Sequence, residues 1–113
     1  MKHPKALRHV YAWDLAYKLG SGPAAPLVVC TDADPQKRTR ATIDESISLK
    51  EFESGLGTLP KDREIVFYCS SSDDASAVGR AAEYQEKGYT RVGVLIGGIN
   101  AWNAIASFLP GKR

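Results

Sequence analysis

Cys30 and Cys69 are the strongest potential nucleophiles in this chain, and their surroundings differ. Cys69 closes the apolar run Ile65-Val66-Phe67-Tyr68-Cys69, which is followed by Ser70-Ser71-Ser72-Asp73-Asp74 and then by an alanine-rich stretch from Ala75. If the run is a strand and the stretch a helix, the thiol lies beyond the carboxyl end of a strand, where open α/β sheets bind their ligands. Small loop residues let successive backbone amides turn inward. Together with the positive end of the following helix, they would stabilise an anion at the sulfur and favour the nucleophilic thiolate. Against this stands a plainer reading: a lone cysteine at the end of an apolar strand is more often an inert, buried small hydrophobe. Two cysteines without a Cys-x-x-Cys pair are too few for a disulfide framework or a four-ligand zinc site, so neither a metal nor an organic cofactor is expected.

The elements that would position Cys69 can be read from the rest of the chain. Leu27-Val28-Val29-Cys30, Ile65-Val66-Phe67-Tyr68-Cys69 and Val92-Gly93-Val94-Leu95-Ile96 are continuous apolar runs, the pattern of parallel strands covered on both faces. Ser48-Leu49-Lys50-Glu51 reads as a capping box that starts a short helix to about Leu56, with Leu49, Phe52 and Leu56 on one face. Ala75 to Lys87 reads as a helix capped by Asp73 or Asp74 and closed by Gly88. Val10 to Leu19 is expected to be helical, with Val10, Trp13 and Tyr17 on a packing stripe and a break at Gly20-Ser21-Gly22-Pro23. Gly97-Gly98 should turn the chain into a last helix that buries Trp102. Helices alternating with strands imply right-handed crossovers and an open parallel sheet with helices on both faces. The polar stretch from Asp32 to Arg40 is expected to be a surface loop.

The totals narrow the function. With 113 residues and 43% hydrophobic content, residues 1–113 suit one domain that must carry both fold and function. A net charge of +2, from 15 basic and 13 acidic side chains, is too balanced to be the footprint of a nucleic-acid binder. No apolar stretch is long enough to span a bilayer, and Met1-Lys2-His3-Pro4-Lys5 is not followed by a signal-peptide core, so a cytoplasmic protein without a membrane partner is expected. Oligomeric state is left open. His3 and His9 are expected to be solvated, and Tyr68 and Tyr89 to be packing residues.

Taken together, the run Pro60 to Cys69, the loop, the alanine-rich helix to Lys87-Gly88-Tyr89, and Val92-Gly93-Val94-Leu95-Ile96-Gly97-Gly98-Ile99-Asn100-Ala101-Trp102 resemble the rhodanese-like superfamily. Upstream, Leu27-Val28-Val29-Cys30-Thr31-Asp32 is similar to the family's Leu-Val-Asp-Val-Arg strand, and Ala41 to Ile47 to its Gly-His-Ile-Pro-Gly-Ala-Ile segment, both more loosely. The resemblance implies that Cys69 accepts sulfane sulfur as a persulfide and passes it to a thiol or cyanide. It also implies that the amides of Ser70, Ser71, Ser72, Asp73, Asp74 and Ala75 line the site. The partners it implies are a small sulfur donor or a protein persulfide, and a thiol acceptor.

Two departures from the family pattern bear on donor choice. Many active members carry arginine near the loop start and again at the sixth loop position, where this chain has Ser70 and Asp74; an acidic loop should repel a dianion such as thiosulfate. The phosphatase relatives need an arginine six residues after the cysteine, which here is Ala75, so phosphate-ester hydrolysis is not expected. Two function classes remain: a persulfide carrier supplied by a low-charge donor, or a catalytically weak binding module whose acidic loop is a recognition surface. Cys30 falls where the family has an aspartate at a strand end. It is either a packing residue or, if its side chain shares a face with that of Cys69, a resolving thiol that would displace sulfide and close an internal disulfide.

Overall fold

Five parallel strands organise the computed structural model, which describes residues 7–20, 22, 25–32, 43, 46–70, 74–106 and 108. In chain order these are β1 Arg8–Val10, β2 Leu27–Cys30, β3 Ile47–Ser48, β4 Ile65–Tyr68 and β5 Val92–Leu95. Their spatial order is β1-β5-β4-β2-β3, which puts β4 at the centre. Four helices connect or follow them: α1 Ala12–Leu19, α2 Leu49–Ser54, α3 Ala75–Glu86 and α4 Gly98–Ala106.

The apolar runs become strands because both of their faces are buried. Along β2 and β4 the side chains alternate between two cores. Val28, Cys30, Val66 and Tyr68 enter one core with Ala12 and Leu15 of α1 and Ile99, Trp102 and Ile105 of α4. Val29, Ile65, Phe67 and Cys69 enter the other with Phe52 of α2 and Ala77, Ala81 and Tyr84 of α3. In that second core Phe52 meets Phe67 and Tyr84 edge-on, with ring centroids 5.5 and 5.0 Å apart. A cluster of this kind makes a phenylalanine-to-alanine truncation cost about 3–5 kcal/mol.

Local signals fix several boundaries. The Ser48 amide donates to Glu51 Oε1 at 3.0 Å and the Glu51 amide donates to Ser48 Oγ at 3.1 Å, the reciprocal box that starts α2. Gly88 has φ +101°, the left-handed conformation expected just beyond the end of α3.

The amino-terminal segment departs from its sequence pattern. Val10 ends strand β1 instead of opening a helix, and α1 turns Ala12 and Leu15 inward while Trp13 and Tyr17 are exposed. An edge strand leaves Arg8 and His9 in solvent, so β1 lacks the apolar run that marks the central strands. Trp13 instead lies against Phe108, centroids 6.5 Å apart, on the outer side of the helix.

Glu64, just before β4, is a buried carboxylate shared by three cations. Lys18 Nζ lies 2.8 Å from its Oε2, Arg8 Nη1 3.4 Å from the same oxygen and Arg91 Nη2 3.4 Å from Oε1. It therefore ties α1, β1 and the start of β5 to the central strand. The cations are partly solvated, which weakens each pair. Glu64→Gln is thus expected to cost about 1–2 kcal/mol, seen as a lower urea midpoint with unchanged slope. An unchanged midpoint would show that the hub contributes nothing.

A second stability prediction concerns Tyr84, whose phenol donates to Glu53 Oε2 at 2.9 Å. Burial, and then this hydrogen bond, push its pKa above the usual phenol range. The folded state retains a proton that the unfolded chain releases above about pH 10, so this stabilisation is complete below that pH and is lost as pH rises further. Tyr84→Phe should flatten the alkaline limb of a plot of unfolding midpoint against pH.

Candidate functional site

Cys69 lies one residue beyond β4, and its side chain enters the core shared by α2 and α3. The ladder between β2 and β4 continues just past the strands, where the Thr31 amide donates to the Tyr68 carbonyl at 2.9 Å. Thr31 Oγ1 also donates to that carbonyl at 3.2 Å and so accepts from Ser76 Oγ at 2.7 Å, which links β2 to the first turn of α3. Beneath the loop, the Tyr68 hydroxyl accepts from the Ile43 amide at 3.2 Å and lies 3.1 Å from Ser46 Oγ.

Both ends of the Cys69 loop are tied down. At its start the Ser70 amide donates to Asp32 Oδ2 at 2.9 Å. At its end Asp74 has left-handed backbone angles, φ 58° and ψ 16°, and its Oδ2 accepts from the Gly97 amide at 2.9 Å. The Ile99 amide donates to the Cys69 carbonyl at 3.3 Å. Gly98 makes this approach possible, because a Cβ there would collide with that carbonyl, and its φ of +55° also suits glycine.

Several expectations change on this geometry. Asp74 stands at the N-cap position of α3, but its side chain makes no capping bond and reaches the Gly97 turn instead. It is 8% exposed, with Oδ1 buried and unpaired among the described residues, so it is a tether more than a recognition surface. Ser70 does not offer its amide to a sulfur anion, since Asp32 already accepts from it. Ala75 is exposed at the first position of α3. Ser71, Ser72 and Asp73 lie outside the described residues, as does His3. His9 is exposed, and Tyr68 and Tyr89 are buried.

Cys30 does not face Cys69. Cys30 is in register with Tyr68, and the one-residue offset sends the two thiols to opposite faces of the sheet. The Cys30 thiol instead donates to Asp32 Oδ2 at 3.7 Å. An internal disulfide requires side chains directed toward each other, so the resolving role does not follow from this arrangement.

Asp32, assigned from sequence to a surface loop, is half-buried and belongs to the site; Thr31 and Ser76 were missed as well. The available signal was a carboxylate two residues beyond a buried strand, at the edge of the sheet where ligands bind. Away from the site, a surface cavity of about 480 Å³ is lined by Arg8, His9, Val10, Asp14, Tyr17 and Lys18, and its Arg8 and Lys18 are paired with Glu64. Among the described residues no cluster of side chains could hold a metal ion, and no helix is long and apolar enough to cross a membrane.

A parallel sheet in the order β1-β5-β4-β2-β3, with a cysteine and a short loop between β4 and α3, defines a rhodanese-type α/β domain. The family model for the rhodanese-like domain matches residues 14–105, and the chain belongs to that family. Among solved structures it is similar to the rhodanese-like domain of the Alr3790 protein from Anabaena sp., with 21% identity, TM-score 0.68, and coverage of 99% of this chain and 78% of that one. It is also similar to the BH2092 protein from Bacillus halodurans, with 27% identity, TM-score 0.71, and coverage of 85% and 71%. A third, RPA3614 from Rhodopseudomonas palustris, described as a possible tyrosine phosphatase, shares the fold at 22% identity, TM-score 0.68, and coverage of 87% and 80%. Among curated proteins none matches significantly.

Both thiols are fully buried, Cys30 in the core lined by α1 and α4 and Cys69 in the core lined by α2 and α3, but Cys30 lies within its strand and Cys69 one residue beyond its own. In the native protein iodoacetamide should therefore label Cys69 at least about tenfold faster than Cys30, because a residue past the end of a strand opens at lower cost than one held within it. Faster labelling of Cys30 would place the reactive thiol elsewhere.

Proposed function

We propose that the protein is a sulfur carrier in which Cys69 takes up sulfane sulfur as a persulfide and hands it to a thiol or cyanide acceptor. The observation that supports this best is the position of Cys69 at the carboxyl end of the central strand, under a loop tied to β2 at one end and to the Gly97-Gly98 turn at the other. In the first step the Cys69 thiolate attacks the outer sulfur of a donor R–S–SH. The new S–S bond forms on Sγ as the donor's own S–S bond breaks, and RS⁻ leaves. In the second, an acceptor thiolate or cyanide attacks the outer sulfur of the persulfide, and the Cys69 thiolate departs. No net oxidation occurs, because the outer sulfur keeps its oxidation state in both exchanges.

Intact mass after incubation with polysulfide tests the reading. A gain of one sulfur that is lost on reduction, and is absent in Cys69→Ser, is expected. No adduct with several donors would favour the other function class, a rhodanese-fold binding module, which the complete burial of Cys69 supports.

Donor choice should follow local charge. Asp32 and Asp74 flank the loop where many relatives place cations, so thiosulfate is expected to be a weak donor. Asp74→Arg would add a favourable charge, but it also forces a long side chain into a left-handed position and removes the acceptor of the Gly97 amide. Asp74→Asn keeps an acceptor and removes only the charge. Thiosulfate loading should rise about threefold to tenfold in Asp74→Asn at low salt, and the gain should shrink as salt is added. Equal loading of the wild type and the variant would contradict the electrostatic account.

A further inference from the structure

Asp32 does more than contact the loop; its carboxylate takes the place of a rung of the sheet. In a parallel ladder the bonds are evenly spaced, each residue donating to one partner residue and accepting from the residue two further along. The Thr31 amide donates to the Tyr68 carbonyl at 2.9 Å, so the next rung of a continuing ladder would run from the Ser70 amide to the Thr31 carbonyl. The Ser70 amide instead donates to Asp32 Oδ2 at 2.9 Å. The ladder therefore stops beside Cys69, and the amide that follows the cysteine is held by a side chain in place of the main chain. The same oxygen accepts from the Cys30 thiol at 3.7 Å, which steadies the carboxylate from within the opposite core.

We propose that Asp32 is a positioning residue for Cys69: by replacing the next ladder rung it stops the ladder beside the nucleophile and fixes how Sγ is presented to an incoming sulfur. The role gives Cys30 a place in the site as well, as a donor that orients Asp32. This deepens the sulfur-carrier reading and rests on it for the chemistry, though the placement of the thiol can be measured without sulfur transfer.

The experiment uses Asp32→Ala, which removes the rung, and Asp32→Asn, whose amide oxygen can accept the same bond. Each is read by iodoacetamide labelling of Cys69 and by steady-state transfer from polysulfide to cyanide. In Asp32→Ala the loop start is released, so labelling should rise about threefold or more. Transfer kcat should meanwhile fall about tenfold, with the KM for cyanide within about twofold of wild type, because a displaced sulfur reacts poorly even when it is easier to reach. The opposed movement separates misplacement from general loss of structure, which would not lower kcat while leaving Asp32→Asn intact. Asp32→Asn should bring both readouts back to within about threefold of wild type, since the accepting atom is restored. Unchanged labelling and kcat in Asp32→Ala would overturn the proposal, as would equal impairment of the two variants. If the wild type takes up no sulfur, the carrier reading fails on its own and labelling alone decides whether Asp32 places the thiol.

Discussion

The end of β4 is the point on which the site depends, because there a fully buried ladder must stop within one residue of the cysteine. Tyr68 is still held by main-chain and side-chain bonds from Thr31 and points into the core beneath α1 and α4. Cys69 points the other way, toward α2 and α3, and its carbonyl accepts from the Ile99 amide in the first turn of α4. Strand alternation decides that the two neighbours serve opposite cores. A shift of one residue would exchange tyrosine and cysteine and remove the thiol from the α3 side altogether. The two-sided apolar packing of β2, β4 and β5 is what resists such a shift.

Carboxylates do the tethering around this point. Asp32 binds the amide that opens the loop and Asp74 binds an amide of the Gly97-Gly98 turn; in both, backbone N–H groups are satisfied by acidic side chains. A bond of that kind is stronger than a neutral one, so each end of the loop is held firmly. It also leaves negative charge at both ends of the loop, which is the basis of the proposed preference for a low-charge donor. Asp74 has a left-handed backbone and a buried carboxylate oxygen without a partner among the described residues, both of which cost stability. Features of this kind concentrate at sites where function constrains the chain.

Much of the architecture was legible in the sequence because it rests on local patterns. The continuous apolar runs gave β2, β4 and β5, Ser48 and Glu51 gave the start of α2, and Gly88 the end of α3. Strand β1 was not legible, since an edge strand with solvated Arg8 and His9 carries no such run; nor was β3, which is two residues long. Trp13 and Tyr17 fit a helical stripe, yet the inward face of α1 is built from the smaller Ala12 and from Leu15. At the site, the position of Cys69 followed from the strand-loop-helix pattern, and the residues matched by the rhodanese-like family model, 14–105, include it. The part played by Asp32 did not follow, because a hydrogen bond across 38 positions leaves no local periodicity. The separation of Cys30 from Cys69 depended on register, which is set by the pairing of Cys30 with Tyr68 and not by either segment alone.

The most direct measurement is a crystal structure of the protein after loading with polysulfide. The account predicts an additional sulfur on Cys69 Sγ, with the Ser70 amide still on Asp32 and the Gly97 amide still on Asp74. An unmodified Cys69 in crystals grown from protein whose mass shows one added sulfur, or a loaded Cys69 with both tethers broken, would contradict it.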